Sequence, residues 1–286
     1  NMKLSDSIIY NKVSHKEGAI NKVISAWNML HQDTDYIDDS SYPTSVITKG
    51  DISITLLFEN LPSEILSTLP IPDHVLYDYD TGMNLFYESF NDAIEIIDNH
   101  ISCSFNDTIK FCKVFVPVKL SKHSTQKLIT SLTIPDLPFL SFISENAFVH
   151  LAPDVISHGF TKYYLAENIF HEMIHNQINI MLLEKEILID EYSSEASPKI
   201  EIPWRKGSEV RNQYWELDRM LHAYFVYKGL YKFRLKMSEI YGSGIDTSMV
   251  CAAMENANYL KGKIIENSGY LTKEGLLMLN MFDFAD

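Results

Sequence analysis

Residues 161–190 read TKYYLAENIFHEMIHNQINIMLLEKEILID. Apolar side chains recur in this stretch at intervals of three and four, which predicts a long helix. The apolar stripe consists of Ala166, Phe170, Ile174, Ile178 and Met181. The same helix contains an H-E-x-x-H pattern at His171, Glu172 and His175. Residues i and i+4 share a helix face about 6 Å apart, so both imidazoles can reach one metal ion beside the apolar stripe.

The composition around this motif is that of a globular protein. Hydrophobic residues make up 46% of the 286 residues and aromatic residues 12%, which excludes a disordered chain because so many rings would not stay solvated. The formal net charge is −14. This charge argues against a nucleic-acid partner and suits a cationic one such as a basic peptide.

The cysteines and the start of the chain predict a cytoplasmic protein. Cys103, Cys112 and Cys251 cannot form a disulfide framework and show no CxxC spacing. Residues 2–6, MKLSD, are polar and offer no signal segment. No apolar window of about 18 residues predicts a membrane span, so we expect no membrane partner.

The remaining pattern predicts an α+β fold that is mostly helical, with a small sheet in the middle of the chain and the active site between two long helices. Helical spacing predicts further helices at 3–32, 51–70, 82–101, 208–240 and within 246–284. Enrichment in β-branched and aromatic residues predicts strands at 111–120, 139–144 and 147–151. Pro117 is expected to mark a strand edge or end.

No linker rich in Gly, Ser or Pro divides the sequence, so a single domain over residues 1–286 is predicted. Its regions are expected to be an N-terminal helical region at 1–105, a metal-site region at 106–240 and C-terminal helices at 241–286.

Two histidines make an incomplete metal site, and the third ligand decides its chemistry. A metzincin would need Gly and His where this chain has Ile178 and Met181, which excludes that class. A thermolysin-like peptidase would take a downstream glutamate, here Glu191 or Glu195. Both glutamates lie in a polar loop that is typical of solvent exposure.

His222 is the stronger candidate for the third ligand. It lies in an apolar, aromatic helical run, where a histidine needs a partner, either a metal or a hydrogen bond within the core. Arg211, Trp215, Asp218 and His222 have the spacing of one helical stripe. Asp218, one turn before His222, could be a ligand itself or could orient His222.

Arginines follow between the two predicted helices. Residues 202–205 read IPWR, and Arg211 comes shortly after. A guanidinium group beside a metal can bind the carboxylate of a co-substrate through two parallel hydrogen bonds. Either Arg205 or Arg211 could do so, or could form a surface salt bridge, whereas Trp204 is expected to pack.

This succession of an HExxH helix, a Pro203-Trp204-Arg205 loop and a helix with Leu221-His222 resembles the HExxH peptide-modifying proteins, which bacteria encode beside ribosomally made precursor peptides. The resemblance covers roughly residues 110–235. It implies a 2-oxoglutarate-dependent iron dioxygenase that hydroxylates the β-carbon of a residue in a precursor peptide.

The resemblance also implies roles for single residues. His171, His175 and His222 would bind Fe(II), and Arg205 or Arg211 would anchor the 2-oxoglutarate carboxylate. Glu172, the candidate catalytic residue, would orient water or a ligand. The alternatives are a zinc metallopeptidase in which Glu172 acts as general base, and a peptide-binding scaffold with a structural metal site.

Overall fold

The structure of the chain is a computed structural model. It describes residues 19–31, 45–59, 61–102, 108–152, 155–156, 159, 161–184, 187–207, 212–241 and 246–281. Two compact units are present, residues 7–180 and residues 181–286. The boundary between the units falls inside the predicted metal-site region. That the whole chain is one domain stays a prediction.

The first unit contains a mixed sheet in the order β1-β2-β4-β6-β5, with β3 paired to β4. Strands β2, β4 and β6 are parallel, whereas β1, β3 and β5 run antiparallel to their neighbours. The sheet consists of β1 (Ser45–Lys49), β2 (Ile52–Leu56), β3 (His74–Leu76), β4 (Val114–Leu120), β5 (Ser131–Thr133) and β6 (Leu140–Ile143). A separate pair joins β7 (His150–Leu151) to β8 (Val155–Ile156).

Among the described residues, four helices accompany this sheet. They are α1 (Ala19–Leu30), α2 (Ser63–Leu66), α3 (Tyr79–His100) and α4 (Lys162–Leu183). The predictions of helices at 82–101 and 161–190 are confirmed, although α4 ends at Leu183. Of the helix predicted at 3–32, the described part begins at residue 19. Near its end Trp27 stacks on His31, with ring centroids 3.7 Å apart. The α+β class with a small sheet in the middle of the chain is confirmed.

The prediction of a helix at 51–70, within an N-terminal region expected to be helical, is wrong. Residues 52–56, ISITL, form β2 in a hairpin with β1, and within 51–70 the structure describes only the short helix α2. The hairpin turns at Gly50, whose φ is +51°. A Cβ atom there would lie 2.3 Å from Oδ1 of Asp98, a side chain that can move aside, so the positive φ is what favours glycine at this turn.

Pro117 does not mark an edge, because β4 lies between β2 and β6 and is central. β4 pairs with β2 only through Val114 and Phe115, and with β3 only from Val118 onward. Pro117 therefore lies between these two pairings, where a missing N–H interrupts no ladder bond. Its carbonyl oxygen still accepts from the N–H of Tyr77 at 3.5 Å.

The second unit is mainly helical. It contains α5 (Leu217–Tyr241), α6 (Thr247–Glu266), α7 (Lys273–Met281) and the strand pair β9 (Ile200–Glu201) and β10 (Tyr214–Trp215). Gly262 lies within α6, and a 3₁₀ turn at residues 268–270 separates α6 from α7. In the described part of the chain, no helix meets the length and hydropathy that a bilayer span requires.

The helix predicted at 208–240 begins only at Leu217. Trp215 lies in β10, paired with Ile200, so the predicted stripe retains only Asp218 and His222. Ser208, the residue that would cap a helix beginning at 208, and Arg211 lie outside the described residues. The actual cap comes from a distant residue, since Ser197 Oγ accepts from the Leu217 N–H at 3.0 Å.

We expect Ser197→Ala to lower the free energy of unfolding by about 1–2 kcal/mol, because it leaves the first N–H of α5 buried without an acceptor. Ser197 is only 5% exposed. Chemical denaturation followed by circular dichroism measures the change. Ser238→Ala, at a half-buried position near the end of the same helix, is the matched control and should change little. Equal stability of both variants would contradict the capping role.

Candidate metal centre

His171 and His175 are half-buried on successive turns of α4. Their Nε2 atoms are 2.9 Å apart, and their ring planes differ by 31°. The predicted apolar stripe beside them is confirmed, because all its members are at most 2% exposed: Ala166, Phe170, Ile174, Ile178 and Met181. The histidine pair therefore borders the core of the first unit.

The pair has the geometry of a metal site as well as that of a hydrogen bond. One imidazole can donate its Nε2 proton to the other. Two nitrogens that bind one ion at a right angle, with metal–nitrogen distances of about 2.0–2.1 Å, also lie about 3 Å apart. The donor set, two convergent and half-buried imidazole nitrogens, thus fits a divalent transition metal.

The residues that the structure describes do not assemble a complete ligand set. Within the part of the chain that the structure describes, no three or more His, Cys, Asp or Glu side chains lie together as a metal-binding group. His171 and His175 belong to the first unit and His222 to the second. The role of His222 as third ligand stays a prediction.

Glu172 is directed into the sheet. Its side chain is 2% exposed, and its carboxylate accepts a short hydrogen bond from the hydroxyl of Thr133 in β5. Burial raises the pKa of Glu172 to about 7, against the opposing effect of hydrogen bonds from Ser131 and Thr133. The motif glutamate is therefore held by the strand at the edge of the sheet.

A chain of polar groups continues from this contact between β5, β6 and α4. Because Thr133 donates to Glu172, the hydroxyl of Ser141 donates to Thr133 Oγ1, 2.7 Å away. Asn176 Nδ2 then donates to Ser141 Oγ at 2.8 Å and to the carbonyl oxygen of Glu172 at 3.0 Å. Ser141 and Asn176 are fully buried. This series of hydrogen bonds fixes the motif helix against the sheet.

His222 is half-buried on α5. Burial lowers its pKa to about 4, and the carboxylate of Asp218 opposes this effect. The imidazole is therefore neutral near pH 7 and keeps a nitrogen lone pair, which a metal ligand must have.

Asp218, the alternative ligand, is already engaged. Its two carboxylate oxygens accept hydrogen bonds from the hydroxyls of Tyr192, at 2.8 Å, and Ser194, at 2.7 Å. The loop that carries these hydroxyls is thereby fixed to the first turn of α5. Such a carboxylate is better suited to orienting its surroundings than to binding a metal.

Arg205 lies in a short 3₁₀ turn, Pro203–Arg205, and its guanidinium carbon is 5.6 Å from the ring centroid of Trp215. Arg219, near the start of α5, approaches the same ring at 4.8 Å. One indole thus holds two guanidinium groups through cation–π contacts. Arg211 lies outside the described residues.

Trp204 packs, as expected. It is half-buried, and its ring meets three others edge to face. The centroid distances are 6.1 Å to Trp215, 5.7 Å to Tyr227 and 5.8 Å to Tyr259. This aromatic cluster fixes the turn that carries Arg205.

Glu191 and Glu195, the third-ligand candidates of a peptidase, are both exposed. The solvent-exposed loop that the sequence predicted for them is thus confirmed, although its end forms β9 and the 3₁₀ turn.

Sequence reasoning did not find the hydrogen-bond partners of Glu172, nor the second guanidinium group beside Trp215, that of Arg219. Asn176 could have been noticed, because it follows Glu172 by four residues and shares its helix face. Ser131, Thr133 and Ser141 lie about 30 to 40 residues away in short strands, and only tertiary structure brings them to the motif. Apart from its positive charge, no sequence pattern at Arg219 indicated a functional role.

Comparison with protein-family models and with curated protein sequences gave no match to this chain.

Proposed function

We propose that this protein is an Fe(II)- and 2-oxoglutarate-dependent dioxygenase that hydroxylates the β-carbon of a residue in a ribosomally made precursor peptide. The observation that carries the proposal is the convergence of the His171 and His175 Nε2 atoms, 2.9 Å apart beside the core. The resemblance of the motifs to the HExxH peptide-modifying proteins supplies the reaction. We place this reaction in the bacterial cytoplasm.

In this proposal each residue has one task. His171 and His175, with His222 as third ligand, would hold Fe(II), which supplies oxygen activation when bound. With three protein ligands, the ion would keep open positions for the co-substrate and for O₂. One O₂ and one 2-oxoglutarate are consumed for each peptide, giving hydroxylated peptide, succinate and carbon dioxide.

The arginines would bind the co-substrate. Arg205 offers its guanidinium to the 2-oxoglutarate carboxylate, and its contact with Trp215 restricts the side chain before binding. Arg219 on the same indole adds a second positive charge. Arg211 remains the alternative anchor.

Two observations favour a dioxygenase over a zinc metallopeptidase. A peptidase needs the Glu172 carboxylate as a base for water, whereas here this group is bound by hydroxyls of the sheet. The third metal ligand of a peptidase would be Glu191 or Glu195, and both residues are exposed. Glu172 acts here as a positioning residue that keeps the motif helix in place.

The proposal is tested with the full chain, Fe(II), 2-oxoglutarate and O₂. The substrate is the product of a short open reading frame beside the gene. The expected result is a peptide that gains one oxygen atom, with stoichiometric succinate. Peptide cleavage that needs zinc and no 2-oxoglutarate would overturn the proposal in favour of the peptidase. Peptide binding that is unchanged in His171→Ala, without turnover by the wild type, would indicate a scaffold.

We expect Glu172→Gln to keep Fe(II) and to retain hydroxylation within about threefold, because the amide oxygen can still accept from Thr133. A peptidase would lose about 10²–10⁴-fold in kcat when its general base is removed. Single-turnover succinate release, measured beside the metal content, separates these outcomes. Loss of turnover with full iron content would assign a catalytic role to the carboxylate.

A further inference from the structure

The β5 strand is the last strand on one side of the sheet and pairs only with β6 in the described chain. In an antiparallel pair, every second residue exchanges backbone hydrogen bonds with the partner strand. Ser144 N–H donates to the Thr130 carbonyl at 3.0 Å, and Leu132 lies opposite Phe142. Thr130 and Leu132 therefore bond toward β6.

The alternation leaves the backbone groups of Ser131 and Thr133 pointing away from β6. Neither residue makes a backbone hydrogen bond at this outer edge with any residue in the described ranges. Both residues are half-buried, so part of each residue remains exposed to solvent. An open edge of this kind is a template for another extended chain.

The same two residues contact the HExxH motif through their side chains. The Thr133 hydroxyl donates to the Glu172 carboxylate, and the Ser131 hydroxyl is also hydrogen-bonded to it. Glu172 directly follows His171. A chain paired with this edge would thus lie one side-chain contact away from the motif.

We propose that the outer edge of β5 binds the peptide substrate as an added strand, paired with the backbone of Ser131 and Thr133. This inference rests on the proposed function, which supplies a peptide as substrate. The N–H and C=O groups recur every second residue, and only another extended backbone presents matching groups at that spacing. The net charge of −14 favours a segment with Lys or Arg.

The first test compares Ser131→Pro with its matched control, Ser131→Ala. Both variants lose the hydroxyl contact with Glu172, but only proline removes the outward N–H, and it spares the ladder bonds to β6. The probe is the peptide that the full chain enriches from a library of random decapeptides containing two lysines. We expect Ser131→Pro to raise Kd about tenfold relative to Ser131→Ala, the effect of losing one hydrogen bond at the upper end of its usual net contribution.

A second measurement uses the wild-type chain and decides the matter even if Ser131→Pro does not fold. Each backbone nitrogen of the enriched peptide is methylated in turn. A peptide that binds as a strand loses affinity at every second position and not at those between. Equal Kd values for the proline and alanine variants, the absence of alternation, or the absence of any enriched peptide would each overturn the inference.

Failure of this inference can be distinguished from failure of the proposed function. If the alternation holds but the peptide gains no oxygen with Fe(II) and 2-oxoglutarate, the edge binds peptide and the dioxygenase proposal fails. If a peptide is hydroxylated while Ser131→Pro binds it as well as Ser131→Ala does, the dioxygenase stands and the binding edge is wrong.

Discussion

Replacing His171 with alanine is expected to lower the affinity for Fe(II) by more than about 100-fold and to abolish succinate formation. Changing only a residue that orients a metal ligand costs about 10–100-fold in affinity, and losing the ligand itself must cost more. His175→Ala should behave in the same way, because the two Nε2 atoms face one point. Anaerobic titration with Fe(II), followed by metal analysis after dialysis, measures the change.

The matched control is His123→Ala, which removes one exposed imidazole from a loop of the same unit. It should keep the iron affinity of the wild type. Circular dichroism should show the same helix content in all variants, since His171 is only half-buried and alanine favours a helix. Iron binding by His171→Ala at wild-type affinity would refute the metal centre.

The largest expected effect on stability comes from Gly275→Ala in α7. A Cβ atom at this position would lie 2.3 Å from the carbonyl oxygen of Ile187, which accepts a hydrogen bond from the Thr272 N–H at 3.0 Å. The obstacle is backbone, so no side-chain rotation relieves it. Moving the helix should cost about 1–3 kcal/mol in the free energy of unfolding.

Gly262→Ala provides the opposite result in the neighbouring helix α6. Its Cβ would meet no atom within 4 Å, so the substitution should stabilise the chain by about 0.4–1 kcal/mol through the unfolded state and helix propensity. Urea denaturation of both variants tests the pair. If Gly275→Ala were as stable as Gly262→Ala, α7 could not lie against the Ile187 carbonyl as described.

The motif helix could be predicted because its information is local. The apolar stripe from Ala166 to Met181 and the i, i+4 histidine pair depend only on the period of one helix. The same reasoning failed at residues 52–56, because a run of five residues is too short to distinguish the helical period of 3.6 residues from the strand period of 2. The Gly50 turn and pairing with β4 decide that segment.

The strand β5 was missed for a related reason. Three residues carry no periodic signal, and Ser131 to Thr133 form a strand only because β6 lies beside them. The start of α5 was misplaced since Trp215 pairs with Ile200 and Ser197 caps Leu217, two contacts between distant parts of the sequence. Tertiary contacts of this kind override local propensity.

The candidate site also contains some residues that the sequence pattern predicts and others that only tertiary contacts reveal. The histidines and Glu172 come from one motif that the sequence displays. The environment of Glu172 comes from β5 and β6, so the sequence could not show that its carboxylate is held by hydroxyls and has a raised pKa. Likewise the sharing of Trp215 by Arg205 and Arg219 arises only when β10 and the 3₁₀ turn are folded.

The stacking of Trp27 on His31 has a practical consequence for spectroscopy. Trp27 is the only tryptophan of residues 7–180, whereas Trp204 and Trp215 belong to residues 181–286. Because the imidazole of His31 covers one face of the Trp27 indole, the emission of Trp27 should change when unfolding separates the two rings. Phenylalanine at 204 and 215 would leave this indole as a native optical reporter of the sheet-containing unit, and phenylalanine at 27 would leave reporters of the helical one.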